Sequence, residues 1–196
     1  DIRNADNEAV LVSVYTDVLD ASGKKIASSQ SPMLRKVYQG KQAYADVLRI
    51  ARPVRWSVEH PYLYKAITKI EVNGQLVDEQ VHPLGIRSFR FDSEKGFFLN
   101  EQPLKIQGVC QHHDLGVFGA AFNKAAAIRQ LRILKEMGVN AIRFSHNPPT
   151  STLLDLCDSM GFLVVDEAFD MWRKKKNKFD YHLQFNDWHE QDLRAM

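Results

Sequence analysis

The sequence predicts two consecutive folds, an antiparallel β-sandwich followed by a parallel βα array, and two observations carry that reading. From Val10 to Asp92, short runs alternate apolar and polar residues with a period of two and are separated by turn residues. After Gly96 the period changes: near-continuous apolar runs alternate with stretches of helical spacing, the pattern of a parallel sheet covered by helices. The expected organisation is an immunoglobulin-like β-sandwich over residues 1–92 and the βα array over residues 93–196.

Each element has its own justification. Val10 to Asp20 alternates strictly, and Ala21-Ser22-Gly23-Lys24 is a hairpin turn into a second run, Lys25 to Ser29. Ala43 to Ile50 is expected as a third strand. Tyr64 to Val72, the dipeptide Asn73-Gly74 and Gln75 to Val81 read as a hairpin, because Asn-Gly supplies the left-handed pair that a tight turn needs. Gly85 to Asp92 alternates again, which gives about six strands in this half, and pairing that begins at Ile2 leaves room for a further edge strand. In the second half, Leu104 to Val109 reads as a buried strand. Asn123 then caps a helix that stops at Gly138, Val139 to Phe144 is a strand, Thr150 to Gly161 is a helix, and Phe162 to Ala168 is a strand. An amphipathic piece from about Asn186 to Met196 is a third helix.

Composition narrows the function classes. The 196 residues are 44% hydrophobic and 26% charged, which is the profile of a globular chain and excludes collagen-like, disulfide-scaffold and disordered classes. Basic and acidic residues number 26 and 24, so electrostatics makes no case for nucleic acid. No uncharged run reaches the roughly 18 residues of a membrane span. Cys110 and Cys157 are expected as free thiols. The N-terminus lacks an initiator Met and a targeting signal, so the chain is expected to be a cut piece of a longer protein. Periplasmic or secreted localisation is expected if that parent carries a signal peptide, and cytoplasmic otherwise.

Chemistry in parallel βα arrays sits at the C-terminal ends of strands, where loops vary over a fixed scaffold. Three polar clusters fall there: Gln111-His112-His113-Asp114, Ser145-His146-Asn147-Pro148 and Asp166-Glu167. Each has a bland alternative. A single histidine is more often a hydrogen-bonded structural residue than a functional one, although three clusters on one rim weaken that reading. His112, Asp114 and His146 are the ligand types of a two-histidine, one-carboxylate metal site, but no compact ligand spacing supports it. Cys110 next to His112 suggests a thiolate, yet a cysteine ending a buried strand is more often an inert hydrophobe. Asp166 and Glu167 are adjacent on a strand and point to opposite faces, so one is expected on the rim and the other in a structural role. Lys174-Lys175-Lys176 reads first as a solvated loop, with contact to an acidic sugar as the alternative.

These residues resemble glycoside hydrolase family 2, which includes β-galactosidases, β-glucuronidases and β-mannosidases. The resemblance spans the chain. Trp56-Ser57-Val58-Glu59-His60-Pro61-Tyr62-Leu63-Tyr64 is similar to the family's Trp-x-x-Glu-x-Pro-x-Leu-Tyr segment, and Gly85-Ile86-Arg87 with Gly96-Phe97-Phe98-Leu99-Asn100 to the crossing into its barrel. Gly108 to His112, Leu134 to Pro148, Leu156-Cys157-Asp158 and Val165-Asp166-Glu167-Ala168 resemble its first three βα units. The resemblance implies an immunoglobulin-like domain followed by an incomplete (β/α)8 TIM barrel. It also implies a retaining, exo-acting glycosidase as the parent, most simply a β-galactosidase, with β-glucuronidase or β-mannosidase as alternatives within the family; the competing reading outside it is a non-catalytic carbohydrate-binding or structural module. By the same resemblance both catalytic Glu residues lie beyond Met196, so this segment alone is expected to be inactive.

What the resemblance leaves in this segment is part of a sugar pocket. It implies that His112 and His146 hydrogen-bond sugar hydroxyls, that Arg143 orients the floor with support from Asp166, and that Asp114 and Asn147 lie on the same rim. Where metal-dependent members carry a Glu and a His for magnesium, this chain has Phe169-Asp170-Met171-Trp172. No metal or other cofactor is therefore expected, and Trp172 resembles a stacking platform for a sugar. The expected partner is a carbohydrate substrate, without nucleic acid or membrane, and the uncovered barrel face is expected to allow oligomers.

Overall fold

The computed structural model describes residues 1–29, 33–45 and 47–196, and the chain divides into two compact units. Unit 1 comprises Asp1–Trp56 and Tyr62–Ile86, and unit 2 comprises Ser57–Pro61 and Arg87–Met196.

Unit 1 is antiparallel β. Its strands are β1 (Ile2–Asn4), β2 (Val10–Leu19), β3 (Lys25–Ser28), β4 (Met33–Val37), β5 (Gly40–Gln42), β6 (Tyr64–Val72) and β7 (Gln75–Leu84). The main sheet runs β3, β2, β6, β7, with β4 continuing along the same edge of β2 as β3, while β1 and β5 form a separate pair. Asn73 and Gly74 both have positive φ, which closes the β6–β7 hairpin as expected. Val12, Val18, Val37, Trp56 and Tyr64 are buried. Gly85 passes so close to the Trp56 ring that a Cβ would lie 3.2 Å from it.

Two expectations are corrected here. The run Ala43 to Ile50 forms no strand among its described residues, and Asp46 lies outside them. β4 and β5 are found instead, in a stretch rich in Lys, Arg and Gln that shows no clean alternation. The expected strand Gly85 to Asp92 is reduced to β8 (Phe89–Asp92), which belongs to unit 2. There it pairs with β9 (Gly96–Leu99), which in turn pairs with β10 (Gln102–Pro103). The two-residue-period signal was real, but it described a different sheet.

The rest of unit 2 is a parallel βα array: β11 (Gly108–Gln111), α1 (Lys124–Glu136), β12 (Ala141–Phe144), α2 (Ser151–Met160), β13 (Leu163–Asp166) and α3 (Phe185–Ala195). The sheet order is β11, β12, β13, all parallel. The first strand begins at Gly108, later than the expected Leu104. Asn123 Oδ1 accepts from Ala126 N, and Thr150 Oγ1 accepts from Leu153 N, so both helix starts are capped by side chains. Gly161 ends α2 in the left-handed conformation.

α1 buries Ala127 and Leu131, and α2 buries Leu153 and Cys157, each pair spaced by one helical turn. They pack on Val109, Ile142, Phe144 and Val164 of the sheet. Lys135 Nζ, at the end of α1, donates to Val58 O at 2.9 Å and Gly161 O at 2.6 Å, which ties Ser57–Pro61 into this unit. No helix among the described residues is long and apolar enough to cross a membrane.

Candidate functional site

Strand register decides which side chains meet. Cys110, Arg143 and Val165 are direct partners across β11, β12 and β13. The preceding row, Val109, Ile142 and Val164, packs against the helices. Because strand side chains alternate, the row of Cys110, Arg143 and Val165 faces away from the helices, and Ser145 and Glu167 continue that face past the strand ends. Phe144 and Asp166 share the helix-side parity.

The outward face carries a connected polar network. Arg143 Nε donates to Glu167 Oε1 at 2.5 Å, and Arg143 Nη2 pairs with the same oxygen. Arg143 Nη1 donates to Ser145 Oγ at 3.2 Å and to Cys110 Sγ at 3.4 Å. Glu167 Oε2 lies 3.1 Å from His146 Nδ1. His146 stands 3.9 Å from Asp170 Oδ1, which Lys176 Nζ pairs with at 3.2 Å. The His112 ring meets His146 edge to face, with centroids 5.4 Å apart. The guanidinium fork thus has acceptors on both sides, which fixes its orientation, and Glu167 bridges it to the His146 ring. The Ser145–His146 peptide bond is cis.

The seven expected site residues do not all converge. His112, Arg143 and His146 belong to the network. Asp114 sits on an exposed loop, where its carboxylate accepts from Gly116 N at 2.9 Å in a local turn. It also lines, with His112 and Phe122, a small cavity of ≈ 50 Å³. Asn147 lines a different cleft of ≈ 400 Å³, with Pro148, Phe169 and Tyr181. Asp166 joins neither. Its Oδ1 is buried with no hydrogen bond among the described residues, and burial pushes its carboxyl above the ordinary range. Trp172 is exposed and stacks on Phe185 at 5.9 Å.

Glu167, rather than Asp166, is therefore the carboxylate that holds Arg143. Sequence parity alone allowed one of the two on the rim. Only the register, with Val164 on the helices, selects Glu167. Cys110 is also corrected: it is exposed, not an inert buried hydrophobe. The hydrogen bond from Arg143, then that from Ser145, lowers its thiol below the ordinary value. Cys157 is the inert thiol, pushed up to about 12 by burial. Among the described residues no group of three or more His, Cys, Asp or Glu could hold a metal ion.

A parallel βα array whose strand ends carry a hydrogen-bonded Arg, Glu and His is built on the plan of barrel enzymes, with the polar rim at the C-terminal edge of the sheet. Comparison with known proteins makes this specific. The chain belongs to glycosyl hydrolases family 2: the model described as "Glycosyl hydrolases family 2, TIM barrel domain" matches residues 92–191, and "Glycosyl hydrolases family 2" matches residues 1–87.

Among curated relatives, the β-galactosidase BoGH2A of Bacteroides ovatus is 50% identical over 183 residues, 93% of this chain and 21% of that protein. A putative β-glucuronidase of Formosa agariphila is 39% identical over 91% of this chain and 17% of its own length. A family 2 member from Bacteroides cellulosilyticus has a solved structure with a TM-score of 0.87 and 35% identity, over 97% of this chain and 25% of that one. The chain thus spans about a fifth of the length of the curated relatives it matches.

Proposed function

We propose that this chain is the immunoglobulin-like domain and the first three βα units of the (β/α)8 barrel in a retaining, exo-acting β-galactosidase. The observation that carries the reading is its 50% identity with a β-galactosidase over 93% of the chain. In a retaining mechanism one carboxylic acid protonates the leaving oxygen and a second carboxylate attacks the anomeric carbon, the two about 5 Å apart. We assign both to sequence outside this chain.

The part assigned to this chain is recognition of the terminal sugar. Neutral imidazole offers a donor and an acceptor on opposite sides of one ring, which suits hydroxyl groups. With Nδ1 of His146 engaged by Glu167, its Nε2 is left for a sugar hydroxyl. Arg143, locked by Glu167 and Ser145, forms the floor. His112 supports His146 edge to face, Asp114 and Asn147 lie on flanking loops, Trp172 offers a ring for stacking, and Asp166 backs the strand end from the helix side.

A β-glucuronidase activity is the second reading. It draws on the 39% identical putative β-glucuronidase and on a Bacteroides uniformis β-glucuronidase structure with a TM-score of 0.83 at 28% identity. Kinetics of the full-length protein on 4-nitrophenyl β-galactoside, β-glucuronide and β-mannoside test the proposal. The galactoside is expected to be preferred by about tenfold or more in kcat/KM. Preference for the glucuronide overturns the first reading in favour of the second. The 196-residue chain by itself is expected to turn over none of the three.

A further inference from the structure

The segment Arg173-Lys174-Lys175-Lys176-Asn177-Lys178 puts five cations into six consecutive exposed residues, in a chain whose basic and acidic residues otherwise nearly balance. Such a run is most simply a solvated loop, yet three observations set this one apart.

First, the loop is pinned beside the rim. Lys176 Nζ pairs with Asp170, the carboxylate that stands 3.9 Å from His146. Second, its backbone is held in one shape by Asp180, whose Oδ2 accepts from Lys176 N at 2.7 Å and from Asn177 N at 2.6 Å. The other oxygen of Asp180 accepts from His182 N at 3.0 Å, so both are engaged and Asp180 has little capacity left for the lysines. A floppy solvated run needs no such clamp. Third, the run is flanked by exposed aromatic rings: Trp172 is 65% and Phe179 81% exposed, with Lys178 Nζ 5.1 Å above the Phe179 ring.

Lys176 has a carboxylate partner. Arg173 and Lys178 lie against aromatic rings, and Lys174 and Lys175 have no ion pair among the described residues. Like charges crowded this closely repel one another, and a ligand of opposite charge relieves that repulsion.

We propose that the loop from Trp172 to Phe179 is a binding lip for an anionic polysaccharide, its carboxylate or sulfate groups lying on Lys174, Lys175 and Lys178 and its sugar rings against Trp172 and Phe179. The inference rests on the glycosidase reading, since it names the polymer from which the terminal sugar at the His146 rim is removed. Exposed indole and phenyl faces suit pyranose rings. The cation run lies on a loop tied to the His146 rim through Asp170, and the chain's 26 basic and 24 acidic residues nearly balance, unlike the strongly basic charge of a nucleic-acid protein.

Affinity electrophoresis of the full-length protein tests the lip, using polygalacturonate for carboxylates, dextran sulfate for sulfates, dextran as the neutral control and poly(U) as the nucleic-acid control. Retardation by polygalacturonate or dextran sulfate, but not by dextran, is expected, and the stronger of the two identifies the anionic group. Charge reversal in Lys174→Glu/Lys175→Glu should weaken binding about tenfold at low salt, and Lys174→Arg/Lys175→Arg should preserve it. Equal retardation by dextran, an unaffected charge-reversal variant, or retardation by poly(U) as strong as by the polysaccharides overturns the lip. Hydrolysis of 4-nitrophenyl β-galactoside, which carries no polymer, is expected to be unchanged in these variants. A protein that hydrolyses the galactoside but ignores polyanions refutes the lip alone, whereas one that binds polyanions but hydrolyses no aryl glycoside refutes the glycosidase reading.

Discussion

Removing the carboxylate of Glu167 should loosen unit 2 measurably, because that side chain takes three polar contacts at once: Arg143 Nε, Arg143 Nη2 and His146 Nδ1. Charge-assisted hydrogen bonds contribute about 1.5–3 kcal/mol each when buried, whereas fully exposed ion pairs contribute about 0.2–1 kcal/mol. The Glu167 side chain is 21% exposed and that of Arg143 42%, so water can replace part of what is lost and the network falls between these limits. We expect Glu167→Ala to cost about 2 kcal/mol. At about 2–4 °C per kcal/mol for a chain of this size, the melt should fall by about 4–8 °C. Glu167→Gln keeps a neutral acceptor for the guanidinium and should lose about half as much. Scanning calorimetry gives the melts, and in a double-mutant cycle with Arg143→Ala the two losses should not add, because each variant removes the same pairing. A Glu167→Ala melt within about 1 °C of wild type, or strictly additive single mutants, would refute the claim that this network orders the rim.

Three further outcomes follow from the same structure. Iodoacetamide should alkylate Cys110 first, and at a lower pH than an ordinary thiol, because Arg143 stabilises its thiolate, while Cys157 reacts only on unfolding; peptide mass spectrometry after timed quenching reads both, and early modification of Cys157 contradicts the assignment. Since the folded-state pKa of Cys157 is raised from 9.0 to about 12, its contribution to stability is complete below pH 9.0 and is lost as pH rises from there to about 12. Cys157→Ala should flatten that alkaline decline in a melt series, even though it lowers the melt at neutral pH. Gly161→Ala should destabilise unit 2 by about 1 kcal/mol or more, because φ is +76° and the new Cβ would press into the Val58 carbonyl; a neutral melt would mean that the loop moves aside freely.

What could be read from the sequence follows the physics of each signal. The Asn73-Gly74 hairpin and the Asn123 cap were legible because both depend on local backbone chemistry that only a few residue types satisfy. The polar strand ends were legible because apolar β11, β12 and β13 make any His, Arg or Glu there conspicuous. Parity was not. A parallel strand is apolar on both faces, so nothing local distinguishes Asp166 from Glu167 or marks Cys110 as outward-facing until the register with Arg143 is known. β4 and the short β10 escaped for another reason: Met33 to Val37 carries Arg35 and Lys36 together, and a two-residue strand has no period to detect. The Asp180 clamp on the lysine loop depends on backbone shape, which a run of lysines does not announce.

The role of His146 can be separated from a structural one by a single substitution read in two ways. Its side chain is 34% exposed and its Nδ1 is engaged by Glu167, so Nε2 is the nitrogen available to a substrate. If Nε2 bonds a sugar hydroxyl that gains charge complementarity in the oxocarbenium-like transition state, then His146→Ala in the full-length enzyme should lower kcat/KM on the order of 100-fold. The melt should move little, because a third of the side chain already meets water and Glu167 retains its pairing with Arg143. A purely structural histidine makes the opposite forecast: its loss strands the Glu167 oxygen, costs about 1–3 kcal/mol of stability and leaves the surviving folded enzyme nearly as active. Calorimetry and kinetics on one preparation distinguish the two. A sharply lowered melt, with kcat/KM per folded molecule within about threefold of wild type, would remove His146 from the proposed sugar pocket and leave it as a brace for Glu167.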